Sequence, residues 1–178
     1  MKQVLIIASS ARKDGNSMIL CRRFAQGAEE AGHRVETIRL AEQNIGYCLG
    51  CGVCNTTHKC IQQDDMAAIL EKMVQADVIV LATPVYFYSM NGQMKTFIDR
   101  TVPRYTELRG KEYYFILTAA DTDPAMLERT METFRGFTED CIEGAVEAGI
   151  LYGVGAWHAG EILDTPACQE AYEMGKNI

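Results

Sequence analysis

Residues 4–18, VLIIASSARKDGNSM, decide how the rest of the chain is read. Val4 to Ile7 is an unbroken apolar run, too short for a helix and suited to a strand covered on both faces. It predicts a central parallel strand. The run gives way to Ser9 and Ser10, two cations at Arg12 and Lys13, a turn at Gly15, and then Asn16 and Ser17 at the head of a helical pattern. A helix start offers unpaired N–H groups and the positive end of the dipole, to which hydroxyls and cations add further partners for an anion. The stretch therefore suits a phosphate, and it equally suits an ordinary strand-to-helix turn capped by Asn16 or Ser17. Neither G-x-x-x-x-G-K-[ST] nor G-x-G-x-x-G is present, which disfavours nucleoside triphosphates and classical dinucleotides.

Downstream, Leu20, Phe24, Ala28 and Ala31 share a helical face that Gly32 terminates, and residues 35–40 alternate as a strand nearer a sheet edge. An irregular stretch from Asn44 to Gln63 carries four cysteines. A helix starting at Asp64 or Asp65 presents Met66, Ile69, Leu70, Met73 and Val74; a buried strand follows at Val78 to Ala82, and helical spacing returns at Met94, Phe97 and Ile98. Tyr113 to Leu117 make a fourth strand. Leu127, Met131, Phe134, Cys141, Ile142 and Ala145 predict one long helix, bent near Gly136 and over by Gly149, with Ile150 to Trp157 as a fifth strand. A weakly patterned helix from Pro166 to Lys176 closes the chain.

Strands alternating with helices predict an α/β fold: a five-stranded parallel sheet in the order 2-1-3-4-5, with helices on both faces. Ligands then bind beyond the carboxyl ends of strands 1 and 3, where Ser9–Ser17, Pro84–Asn91 and Ala119–Asp123 meet and the cysteine loop lies close by.

A length of 178 residues, 48% of them hydrophobic, fits a single domain over 1–178 with no repeat or linker. No apolar run is long enough to span a membrane and the first residues do not read as a signal peptide, so a soluble, cytoplasmic protein is expected. A net charge of −7 argues against a nucleic-acid partner.

Seven cysteines cannot all pair within one chain. Cys48, Cys51, Cys54 and Cys60 stand as C-x2-C-x2-C-x5-C, a spacing that lets one loop wrap a metal centre, and four thiolates are the usual ligands of a [4Fe-4S] cluster or a structural zinc. Free or redox-active thiols are the third reading. His58 is a substitute ligand or a solvated loop side chain. Cys21, Cys141 and Cys168 fall in helical patterns as packing residues.

Three motifs together, SSARKDGNS after the first strand, CLGCGVCNTTHKC after the second and TPVYFYSMNGQMKTFIDR after the third, resemble the flavodoxin-like NAD(P)H-dependent FMN reductases, above all the branch containing the iron-sulfur flavoproteins. The resemblance spans nearly the whole chain. It implies a flavodoxin-like three-layer sandwich and an FMN phosphate surrounded by Ser9, Ser10, Arg12, Asn16, Ser17 and Met18. It also implies an isoalloxazine ring lying along Pro84, Val85, Tyr86, Phe87 and Tyr88, and a [4Fe-4S] cluster on Cys48, Cys51, Cys54 and Cys60 in those relatives that keep one. The alternative for the three aromatics is core or dimer packing. Lys95 and Asp99 are one helical turn apart and suit a surface pair, so they and Arg100 stay outside the site.

Two departures stand out. Ser10 is followed by Ala11 where relatives often have proline, and residues 118–121 are Thr-Ala-Ala-Asp where many carry glycine, which limits close approach of that loop to a flavin.

The implied activity is transfer of electrons from NAD(P)H through FMN to a small acceptor. An iron-sulfur electron carrier serving a protein partner and a thiol redox sensor are the alternatives. Flavin sites in this family commonly lie at subunit interfaces, so a homodimer or homotetramer is expected, with Tyr86 to Met90 and Trp157 as apolar surface.

Overall fold

In the computed structural model, which describes residues 1–178, the opening apolar run forms β1 (Gln3–Ala8) between two parallel neighbours, β2 (Arg34–Arg39) and β3 (Val78–Tyr86). β5 (Glu112–Thr118) and β6 (Val146–Gly153) continue the sheet in parallel, giving the order β2-β1-β3-β5-β6. This is the expected five-strand order. The one addition is β4 (Ser89–Met90), a two-residue strand folded back antiparallel on the end of β3.

The interior strands read as continuous apolar runs because each face is covered. Leu5, Ile7, Ile79, Leu81, Phe115 and Leu117 point into one core with α3 (Met66–Gln75), α4 (Gly92–Asp99) and α5 (Glu128–Thr138). Val4, Ile6, Val80, Ala82 and Ile116 point the other way, onto α1 (Asn16–Glu30) and α6 (Ala167–Lys176). The result is a flavodoxin-like three-layer sandwich.

The weak pattern of the last helix has a steric cause. A Cβ on Gly175 would lie 2.0 Å from the Phe24 carbonyl oxygen, and one on Gly27 would lie 2.1 Å from that of Tyr172. The two helices cross backbone to backbone, a contact for which only glycine leaves room.

One expectation fails. Instead of running on to Gly149, α5 ends at Thr138, residues 139–145 form turns, and β6 spans Val146 to Gly153 rather than Ile150 to Trp157. Cys141, Ile142 and Ala145 keep helical spacing, but Gly144 adopts φ +68° and the Val146 N–H bonds to the Lys111 carbonyl, starting the strand. Cys141 is therefore an exposed turn residue rather than helix packing. Lys95 and Asp99 do pair on the surface, at 2.5 Å. No helix is long and apolar enough to cross a membrane.

Candidate functional site

The anion-suited loop leaves β1 at Ala8 and enters α1 at Asn16. Gly15, not Asn16 or Ser17, occupies the N-cap, and no side chain caps the helix. Ile19 N–H is the first to bond back, to the Gly15 carbonyl at 3.0 Å, so the N–H groups of Asn16, Ser17 and Met18 have no intrahelical acceptor.

The Asn16 side chain is spent elsewhere. Its Nδ2 donates to the carbonyls of Ala156 (3.2 Å) and His158 (3.0 Å), and its Oδ1 accepts from Gly160 N–H (2.9 Å). This fastens the segment after β6 across the helix start. Glu161 fixes the same segment by accepting from the N–H groups of Trp157 and His158, both at 2.8 Å; those bonds, His158 first, hold its carboxyl below the ordinary range. Arg12 Nη1 donates to the Trp157 carbonyl at 3.3 Å.

These contacts enclose a cleft of about 170 Å³ at the carboxyl ends of β1, β3 and β5. Ser10, Arg12, Asn16 and Ser17 line one end, Pro84, Val85 and Tyr86 one wall, and Thr118, Ala119, Ala120, Ala156 and Trp157 the other. The cleft reaches Ala119 and Ala120 although they are not glycine. The wall at Ala156 and Trp157 was not legible as a site in the sequence.

Four of the expected residues lie outside the cleft lining. Ser9 is fully buried and donates its hydroxyl to the Ala82 carbonyl at 3.1 Å, tying β1 to β3. Asn91 extends that support, with Nδ2 donating to the Ser9 carbonyl (2.7 Å) and Oδ1 capping α4 through Met94 N–H (3.1 Å). The Met18 side chain packs in the core beside α1. Phe87 and Tyr88 sit at the tip of the β3–β4 hairpin, both with left-handed φ, 52° and 58°. Positive φ at both central residues is the pattern of a type I′ turn, which strongly prefers Asn-Gly. Phe87 is fully exposed, and the Tyr88 ring faces the Arg129 guanidinium at 5.5 Å. The three consecutive aromatics thus go three ways, with Tyr86 alone in the cleft.

Beyond β2 and a 3-10 turn at Leu40–Glu42 the chain runs irregularly, with one short α-helix, α2 (Cys54–Thr57). Cys48, Cys51, Cys54 and Cys60 line a single cavity of about 240 Å³, together with Leu49, Ile61, Val102 and Pro103. No three His, Cys, Asp or Glu side chains converge closely enough to hold one metal ion. A [4Fe-4S] cluster takes four thiolates at four separate irons, and four cysteines lining one cavity supply that donor set.

The cavity is backed by a residue the sequence left aside. Arg100, with a side chain only 1% exposed, pairs with Asp64 (8% exposed) through two bonds, Nη1 to Oδ2 at 2.7 Å and Nη2 to Oδ1 at 2.9 Å. The pair draws the Asp64 carboxyl below the ordinary carboxylate range, chiefly through the bonds from Arg100. Outside the loop, burial pushes the Cys21 thiol up to about 12.

With this geometry in view, the profile of a family described as NADPH-dependent FMN reductase matches residues 2–135. The chain belongs to that family. An iron-sulfur flavoprotein of Archaeoglobus fulgidus is 39% identical over 103 residues, covering 58% of this chain and 46% of that protein. The chain spans about half the length of the curated relatives it matches. Among solved structures, an NAD(P)H:quinone oxidoreductase from Methanothermobacter marburgensis superposes with a TM-score of 0.79 at 16% identity, covering 99% of this chain and 96% of that one. An FMN-dependent NADH-azoreductase from Bacillus anthracis, in complex with FMN, gives 0.75 at 15% identity, covering 99% of both chains. At these identities the structural likeness is one of fold. The architecture they share with this chain is the flavodoxin-like fold.

Proposed function

We propose that this chain binds FMN in the cleft between β1, β3 and β5 and works as an NAD(P)H-dependent oxidoreductase on a small acceptor. One observation carries the reading: three N–H groups without intrahelical acceptors, beside Ser10 and Arg12, stand at one end of a cleft whose other walls are largely apolar. The N–H groups of residues 16–18 and the Arg12 guanidinium hold the phosphate. Pro84 stiffens the turn, Val85 and Tyr86 cover one side of the ring, and Ala119, Ala120 and Trp157 close the other. FMN when bound supplies the redox chemistry, taking a hydride from NAD(P)H and releasing electrons to the second substrate. The protein's part is to bind, orient and exclude water; no side-chain acid or base is assigned.

Cys48, Cys51, Cys54 and Cys60 are proposed to hold a [4Fe-4S] cluster. Support comes from their common cavity and from relatives named as iron-sulfur flavoproteins. Such a cluster supplies single-electron transfer, which favours as second reading an electron carrier that passes charge to a protein partner. The exposed side chains of Tyr47, Phe87 and Trp157 suit a subunit interface, and a homodimer is proposed.

Trp157 is the only tryptophan and lies on the cleft wall, so its fluorescence reports directly on occupancy. Titrating FMN into flavin-free protein should quench it saturably, and the loaded protein should then oxidise NADPH or NADH with menadione as acceptor. Protein that neither quenches nor retains FMN would overturn the reading. Quenching without nicotinamide oxidation, in a sample containing iron and sulfide, would move the assignment to the electron carrier.

A further inference from the structure

The cysteine loop is open to solvent over most of its length, yet its two ends converge on one buried guanidinium. Arg100 Nη1 donates to the Gly46 carbonyl at 2.6 Å, two residues before the first cysteine, and to Asp64 Oδ2 at 2.7 Å, four residues after the last. Nη2 donates to Asp64 Oδ1 at 2.9 Å and to the Cys60 sulfur at 3.5 Å. All four terminal N–H bonds are placed, and only the buried Nε lacks an acceptor. Asp64 completes the closure by accepting from Gly46 N–H at 3.1 Å.

Stability alone does not account for this arrangement, because a buried ion pair is no better a stabiliser than apolar packing of the same volume. The neighbouring cation Arg104 is engaged by Glu71 and Glu107. Arg100 is the cation that reaches a sulfur, and Cys60 is the only one of the four loop cysteines whose sulfur receives a hydrogen bond.

We propose that Arg100 is the positioning residue of the cysteine loop: it clasps the loop's two ends and, through its bond to the Cys60 sulfur, raises the reduction potential of the centre the four thiolates hold. The second half rests on the cluster reading above. A hydrogen bond to a ligating sulfur withdraws charge from it, and reduction by one electron makes the centre more negative, so a donor and a cation nearby favour the reduced state. Lysine keeps the charge but has no planar fork with which to reach Gly46, Asp64 and Cys60 together.

The test uses the full chain, reconstituted anaerobically with iron, sulfide and FMN, in wild type, Arg100→Lys and the double variant Arg100→Gln/Asp64→Asn. The double variant replaces the ion pair by two neutral amides and so avoids a buried lone charge. Midpoint potentials of cluster and flavin are read in one spectroelectrochemical titration, and trypsin cleavage after Lys59, within the loop, is timed separately. The double variant should hold as much iron as wild type, show a more negative cluster potential with the flavin potential unmoved, and be cut faster after Lys59. Arg100→Lys should fall between the two.

An unchanged cluster potential, even with faster cleavage, would reduce Arg100 to a structural support and overturn its assignment to the Cys60 sulfur. An Arg100→Lys potential equal to wild type would do the same. Wild-type protein that takes up no iron removes the cluster reading, and tryptic cleavage then judges the clasp alone: equal rates in wild type and double variant would overturn it.

Discussion

The two loops proposed to carry the chemistry are built on opposite plans. The loop from Ser9 to Ser17 is short, sits between a buried strand and a buried helix, and is pinned along its length: Ser9 to Ala82, Asn91 to Ser9, Asn16 to the segment after β6. The loop from Asn44 to Gln63 has no fully buried residue and is fastened at its ends, by Arg100 with Asp64 and by Asp65, which accepts from Asn44 N–H at 2.6 Å. A cleft fixed by the fold is ready for its cofactor before the cofactor arrives. A loop held only at its mouth takes its final shape from what it encloses.

The contrast can be broken most severely at the mouth of the cysteine loop. Arg100→Leu leaves Asp64 buried without its cation, and should cost about 3–5 kcal/mol in denaturant unfolding. A cost near zero would mean that the ends are held by something else. The same pair has a pH signature. Asp64 is depressed in the folded protein, so its contribution is complete above the ordinary carboxylate pKa of about 4 and is lost as pH falls through the lower native value. The stability difference between wild type and Asp64→Asn should therefore be flat from pH 7 to about 5 and shrink towards acid.

On the cleft side, Asn16→Ala strips the partners from backbone groups of Ala156, His158 and Gly160 and should cost about 1–3 kcal/mol, with FMN affinity falling in parallel by calorimetric titration. Lost stability with unchanged affinity would show that the wall at Trp157 does not hold the cofactor. Next in size, replacing Phe87-Tyr88 by Asn-Gly relieves two left-handed residues and should raise unfolding stability by about 1–2 kcal/mol. The smallest effect is expected at the exposed Lys95–Asp99 pair, where Lys95→Ala should change stability by less than about 0.5 kcal/mol.

Much of the fold was legible because its signals are local. The run at Val4–Ile7, the turn at Gly15 and the cysteine spacing are each contained within a few residues. Contacts that join distant stretches were not legible. Arg100 meets Asp64 across 36 residues and Asn16 meets His158 across 142, and neither pair announces itself in spacing. The β3–β4 hairpin escaped because its tip is Phe-Tyr, bulky residues that turn chemistry disfavours. The end of α5 escaped because Ile142 and Ala145 reach the core from a turn at intervals a helix would also give.

The backbone-to-backbone crossing of α1 and α6 bears on the order of biosynthesis. The cofactor loop is encoded within the first twenty residues, but the helix it leads into has its closest neighbour only once residues 167–176 have been made, and Asn16 finds its partners only at residues 156–160. Translation proceeds from the other end, at about 5–20 residues per second. For at least several seconds a nascent chain therefore carries the loop of residues 9–17 without the wall and brace that shape it. The cleft takes shape only once residues 156–176 have been made.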